Sequence, residues 1–240
     1  MLVPIFHHYP QSPIAEKIRM TFGIMGLEWY SVQIPRIPPK PLLTPLTGGY
    51  RRTPVLQVGA DIFCDSQCIA FQLGKLKSEK VAYDSSNRAL ELILGSFGEN
   101  ILFKLTVRIV LTTSMGVAPE DFIKDRSSLY FEPGWTVEEM QNSLPSVLLQ
   151  LQSAFELINH HLTSHGPYMN GNNPSYADAV IQHCVWFLCG RWDRGDSFIA
   201  PFKALIKHRD LITQMGHGSF IDCAPEEALQ IAKNHISTAP

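Results

Sequence analysis

The chain has 240 residues, 45% hydrophobic and 18% charged, the make-up of an ordinary globular protein with length for one large or two modest domains. A formal charge of −2, with lysines and arginines scattered along the chain, excludes the basic stripe of a nucleic-acid binder. No apolar run approaches the roughly 20 residues of a membrane helix, and no basic flank precedes an apolar leader, so the expected location is cytoplasmic.

The first 76 residues alternate strand and helix signals. "LVPIF" (2–6) is strand-like, "PIAEKIRMTFGIMGL" (13–27) carries apolar residues at helical spacing and stops at Gly26, and "EWYSVQI" (28–34) returns to aromatic and β-branched residues. The proline-rich 35–52 reads as loop with one short helical turn. "TPVLQV" and "DIFC", separated by "GA", predict a hairpin, and 65–76 a helix. The order βαβ, loop, ββα is that of a thioredoxin-like domain over 1–76.

Residues 77–86 are polar and turn-rich, a linker by composition. Beyond them the strand signals stop, and helices are expected over 87–111, 136–162, 175–191 and 226–235, with a weaker signal near 201–215. The fold class predicted is therefore α/β plus all-α, with residues 87–240 as the helical domain. The stretch 114–135 reads as irregular, long enough for a functional or partner-facing loop.

The five cysteines form no "CxxC" pair and sit in apolar contexts, as reduced core residues do. The pairs "HH" at 7–8 and 160–161 lack metal-ligand spacing, so no metal is expected and packing or surface roles are.

Three short stretches carry chemistry. Ser12, before Pro13, has the local sequence of a helix cap, and becomes a ligand group only where other segments build a site around the same helix end. Thr53–Pro54 opens a strand: a trans proline at a strand start is one reading, and a cis bond that turns the Thr53 backbone towards an extended peptide is the other. Asp65 and Ser66 begin a helix, as a simple cap or as a place where helix N–H groups take a carboxylate and Asp65 an ammonium.

Together these stretches resemble the cytosolic glutathione transferase superfamily over nearly the whole chain. "SPIAEKIR" is similar to the tau-class "SPF…RVR" and omega-class "CPF" segments, and "RRTPVL" with "CDSQCIAFQL" to the glutathione motif "PVL…ESxAI". "PYMNGNNPSYADAVI" (167–181) is similar to "FLxGxxPSxADxxI", in which Ser175 and Asp178 would form a capping box. The resemblance implies glutathione as co-substrate and a homodimer. It places Ser12 at the position that activates the sulfur, with Tyr9 as the alternative hydroxyl. It sets Lys40 or Arg52 against the glycyl carboxylate, Thr53 and Pro54 beside the cysteinyl part, and Asp65 and Ser66 at the γ-glutamyl end. Two departures matter. Ser12 stands where the omega class has cysteine, which disfavours mixed-disulfide chemistry, and Asp65 stands where glutamate is commoner, with a shorter reach.

The chemistry so implied lies in the thiol. At its ordinary pKa of about 8.5 only about 3% is thiolate at pH 7, and lowering that by about two units corresponds to roughly 2.7 kcal/mol of differential stabilisation. A hydroxyl donor and a helix N-terminus supply part of it. Serine as a nucleophile is disfavoured because no histidine stands at triad spacing. The primary expectation is a glutathione S-transferase acting on an electrophilic small molecule in the helical domain, where Trp135, Trp186 and Trp192 offer apolar surface. The alternatives are a glutathione-dependent cis–trans isomerase of an activated double bond, such as a polyene of secondary metabolism, and a non-catalytic glutathione-binding or regulatory module.

Overall fold

The computed structural model describes residues 2–77 and 88–238, so the linker expected at 77–86 lies almost entirely outside the described residues. The chain divides into two units, Met1–Leu92 with Ile212–Pro240, and Ile93–Leu211.

The first unit opens with β1 (Ile5–His8), α1 (Pro13–Met25) and β2 (Glu28–Gln33), followed by the short α2 (Thr44–Thr47), the hairpin β3 (Val55–Val58) and β4 (Asp61–Cys64), and α3 (Ser66–Leu76). α1 stops where the sequence predicts: Gly26 is left-handed, with φ 57° and ψ 42°, and its N–H donates back to the Gly23 carbonyl. β1 pairs parallel with β2 and antiparallel with β3, and β3 pairs antiparallel with β4. Alternation along the strands gives the sheet two apolar faces. Phe6 and Trp29 meet Phe22 of α1, with ring centroids 5.4 and 4.9 Å from it. Ile5, Val32 and Val55 gather instead with Tyr9, Leu43 and Ala228.

The second unit is helical, and its first and last helices run over into the first unit. α4 (Arg88–Phe97) leads through a π-helical turn at Gly98–Leu102 into α5 (Phe103–Ser114), and α6 (Glu120–Tyr130), α7 (Val137–His165), α8 (Tyr176–Arg191), α9 (Gly195–Ile199) and α10 (Lys203–Met215) follow. α5 packs on α7 and α8. The capping box expected at Ser175 and Asp178 is present. The wholly buried Asp178 carboxylate accepts from the Ser175 and Met169 N–H groups at 2.7 Å each and lies 2.8 Å from His208 Nε2, joining the start of α8 to α10. No helix among the described residues is long and apolar enough to cross a membrane.

Two expectations are corrected. The stretch 114–135 contains α6: Glu120 and Asp121 sit in its first turn after Pro119, acidic residues that favour a helix start, although its apolar residues are too few for a clear periodic signal. The helical unit does not run to 240. After α10 the chain adds β5 (Ser219–Asp222), which pairs parallel with β2, and α11 (Pro225–Asn234), and both belong to the first unit. The sheet therefore has five strands in the order β4-β3-β1-β2-β5. "SFID" is too short and too exposed to announce a strand by alternation, and it becomes one only because β2 offers it a free edge.

This return is held by close backbone approach. A Cβ on Gly23 of α1 would lie 2.0 Å from the Gly216 carbonyl oxygen, and one on Gly218 would lie 2.3 Å from the Leu27 oxygen. Gly23→Ala is therefore expected to destabilise the protein by about 1–3 kcal/mol, as overpacking does, and a change in urea midpoint would measure it. An unaltered midpoint would show that the return does not pack there.

Candidate functional site

The sheet register brings the singled-out segments to one end of the sheet. His7 lies opposite Val55 in the β1–β3 pairing, Val55 lies opposite Cys64 in the β3–β4 pairing, and His8 lies beside Gln33 in the β1–β2 pairing. Beyond those positions the chain continues to Ser12, back to Thr53–Pro54, on to Asp65, and into the loop that holds Lys40.

Ser12 caps α1. Its backbone is extended, at φ −74° and ψ 118°, Pro13 fills the first helical position, and its Oγ accepts the Ala15 N–H at 3.2 Å. The cap bond uses a lone pair of the hydroxyl, so its proton remains available to a further acceptor. The residue is 3% exposed. Tyr9 is buried in the cluster with Ile5, Val32 and Leu43, and its carbonyl accepts the Ser12 N–H at 3.1 Å.

Lys40 organises the loop between β2 and β3. Its Nζ donates to Thr53 Oγ1 at 2.7 Å and to the Arg51 carbonyl at 3.1 Å, while its own carbonyl accepts from the Leu43 and Thr44 amides. Arg52 is exposed. Both Pro38–Pro39 and Thr53–Pro54 are cis. Beside Lys40 lies a cavity of about 470 Å³ lined by Pro39, Leu43, Thr44, Tyr50 and Arg51 among others. Burial, and then the charge of Asp65, raises the Tyr50 phenol above its ordinary range, which keeps it a proton donor.

At the start of α3, Asp65 adopts φ 72° and ψ 131°, and its Oδ1 accepts the Gln67 N–H at 2.8 Å and the Cys68 N–H at 3.4 Å. Its carboxylate thus already serves two of the helix-end donors expected for a ligand. Ser66 is buried, and its Oγ accepts from Lys17 Nζ at 2.9 Å. Lys17 is 0% exposed, and its bond to Ser66 ties the first turn of α3 to α1. The neighbouring thiols of Cys64 and Cys68 are raised, first by burial, and stay protonated.

A family model described as the glutathione S-transferase N-terminal domain matches residues 6–80. A solved GST-like protein from Pseudomonas syringae is 34% identical, with the match covering 99% of this chain and 75% of that one at a TM-score of 0.77. The chain belongs to the glutathione transferase superfamily. The fold recurs in more distant transferases. One from Ceriporiopsis subvermispora, in complex with glutathione, is 18% identical, covering 89% and 97% of the two chains at a TM-score of 0.69. A family member from Pseudomonas fluorescens pf-5, with two glutathiones bound, is 11% identical, covering 88% and 87% at a TM-score of 0.63. No curated protein matches the chain in a sequence search.

Within this transferase fold, sequence reasoning passed over Lys17, although a lysine on the inward side of an amphipathic helix is itself a signal, because a buried ammonium demands a partner. It also passed over the supports beneath Ser12. Arg19 bonds Glu16 through Nε at 2.8 Å, and its Nη1 meets His8 Nδ1 at 2.9 Å. His8 lies 3.2 Å from Ser31 Oγ, and His7 lies 2.9 Å from Gln57 Oε1. Both histidines pack in the interior, one of the two roles the sequence predicts for them.

Burial pushes the His7 ring down to about 4, and burial with the Arg19 charge pushes His8 down to about 3. Unfolded rings titrate near 6.5, so between these limits the unfolded chain binds more protons and stability falls as pH drops. Glu16 acts in the same direction at lower pH. Burial opposes its charge, but the His217 hydrogen bond and the Arg19 charge prevail and lower its pKa, so its contribution is lost as pH falls through that depressed value. Unfolding free energy is therefore expected to decline steadily from pH 6.5 towards 4, as denaturant titrations across that range would register. A flat profile would contradict neutral buried rings.

Proposed function

We propose that the chain is a glutathione-dependent transferase that stabilises the glutathione thiolate at Ser12 for attack on an electrophilic small molecule. The observation that carries this reading is the convergence at one end of the sheet of a capped helix start at Ser12, the Lys40–Thr53 pair, and the Asp65–Ser66 helix start with Lys17 beneath it. A tripeptide with an amine, a thiol and two carboxylates calls for such a spread of groups. Lys40, with Arg52 further out, takes the glycyl carboxylate. The Thr53–Pro54 segment lies along the cysteinyl part. Ser66, at the head of α3, takes the γ-glutamyl carboxylate, with Asp65 against the ammonium.

Ser12 donates its free hydroxyl proton to sulfur while its lone pair keeps the Ala15 cap, and the α1 N-terminus adds partial positive charge. Ser12 stands at the N-terminus of α1 itself, whereas Tyr9 packs in the cluster with Ile5, Val32 and Leu43, which favours Ser12 over Tyr9 as the activating hydroxyl. We also propose a homodimer, the assembly implied by the family resemblance, which sedimentation at micromolar concentration tests directly.

Calorimetry should detect glutathione binding, and no heat at millimolar ligand would remove the reading. Ser12→Ala is expected to raise the pKa of the bound thiol by about one to two units, the worth of one hydrogen bond to a charged group, with little loss of affinity. Tyr9→Phe should move it much less. Ultraviolet titration of the thiolate reads both, and a shift confined to Tyr9→Phe would transfer the role to Tyr9. Assay of total glutathione after turnover separates conjugation, which consumes it, from isomerisation, which returns it.

A further inference from the structure

The C-terminal return carries one side chain into the supports of Ser12. His217 lies between Gly216 and Gly218, whose φ values of 65° and 71° turn the chain against α1. Trp29 Nε1 donates to the His217 carbonyl at 2.7 Å and holds its backbone in place. The His217 ring Nε2 lies 2.9 Å from Glu16 Oε1. The other Glu16 oxygen, Oε2, accepts from Arg19 Nε at 2.8 Å and Nη2 at 2.5 Å. Of the remaining donors of that guanidinium, one on Nη2 reaches the Pro10 carbonyl at 2.7 Å, and Nη1 meets the Tyr9 carbonyl at 3.3 Å and His8 Nδ1 at 2.9 Å. The Tyr9 carbonyl also accepts the Ser12 N–H.

We propose that His217, Glu16 and Arg19 are positioning residues for Ser12: the return holds the carboxylate, the carboxylate holds the guanidinium, and the guanidinium holds the two carbonyls from which Ser12 is presented. This rests on the reading of Ser12 as the thiolate donor. The Tyr9 and Pro10 carbonyls lie in the turn between β1 and α1, outside any ladder, so a side chain rather than a strand partner ties them to α1. Arg19 supplies them with a rigid fork. A hydrogen bond aimed at sulfur tolerates displacement of about half an ångström, and a misplacement of 1 Å costs on the order of a hundredfold in rate. The anchoring of that turn therefore reaches the chemistry although none of the three side chains need touch the ligand.

The test uses His217→Ala, His217→Gln and Arg19→Lys in the full chain. His217→Ala should speed amide exchange at Ser12 and Ala15 more than in β3. It should also raise the bound thiol's pKa by about half a unit to one unit and lower kcat about tenfold, with the calorimetric Kd for glutathione within about twofold of the parent. His217→Gln, whose amide can donate to Glu16, should recover most of this. Arg19→Lys, which keeps the charge and loses the fork, should not. In the double variant with Ser12→Ala, His217→Ala should add little to the pKa shift, because both act through one hydrogen bond. Exchange at Ser12 that rises no more than in β3, or fully additive pKa shifts, would overturn the relay. If Ser12→Ala moves the thiol pKa and the His217 variants do not, the relay alone fails. If Ser12→Ala moves nothing, the thiolate reading fails and takes the relay with it.

Discussion

The register of the sheet governs what this molecule can do. Val55 lies opposite His7 on one side and Cys64 on the other, and this pairing turns three segments distant in sequence into neighbours at one sheet end. Slipping either pair by one residue would send every side chain of the strand to the opposite face. The two apolar clusters, Phe6 with Phe22 and Trp29 on one side and Ile5 with Val32 and Val55 on the other, forbid that slip. Packing that never touches a ligand thereby sets the spacing of Ser12, Thr53 and Asp65.

Beneath this end of the sheet the protein buries charge. Glu16, Lys17 and Arg19 are consecutive or nearly so on α1, and each is at most 5% exposed. Buried ion pairs add little net stability over apolar replacements, yet losing one partner costs about 3–5 kcal/mol. Stability alone gives no reason for such a cluster. Each group contributes a hydrogen bond that reaches a site-forming segment directly or through its neighbour: Lys17 to Ser66, Arg19 to the carbonyls before Ser12, and Glu16 to Arg19 itself. The same helix therefore supplies the apolar face of the core and the polar supports of the site.

The outlines of the first 76 residues were legible because each element carries its own punctuation: Gly26 in the left-handed region after α1, the Gly59–Ala60 turn between β3 and β4, and Asp65 at the head of α3. The Ser175–Asp178 cap was legible for the same reason, since its two residues lie within one helical turn. α6 was missed because its helicity rests on its first-turn acids more than on an apolar stripe. β5 was missed because a four-residue exposed strand has no period of its own and exists by pairing with β2.

By itself the sequence determined the fold class, the order of elements in the first domain, and the residues at the mouths of α1 and α3, because these depend on local propensity, capping and periodicity within a few positions. Only the tertiary structure decided the rest. Residues 212–240 return to the sheet, Lys17 lies beneath Ser66, and His217 reaches Glu16 across 201 positions of chain. The return depends on two backbones meeting where Gly23 leaves no room for a methyl group against Gly216, and all of these contacts are distance conditions between remote segments that no local pattern encodes.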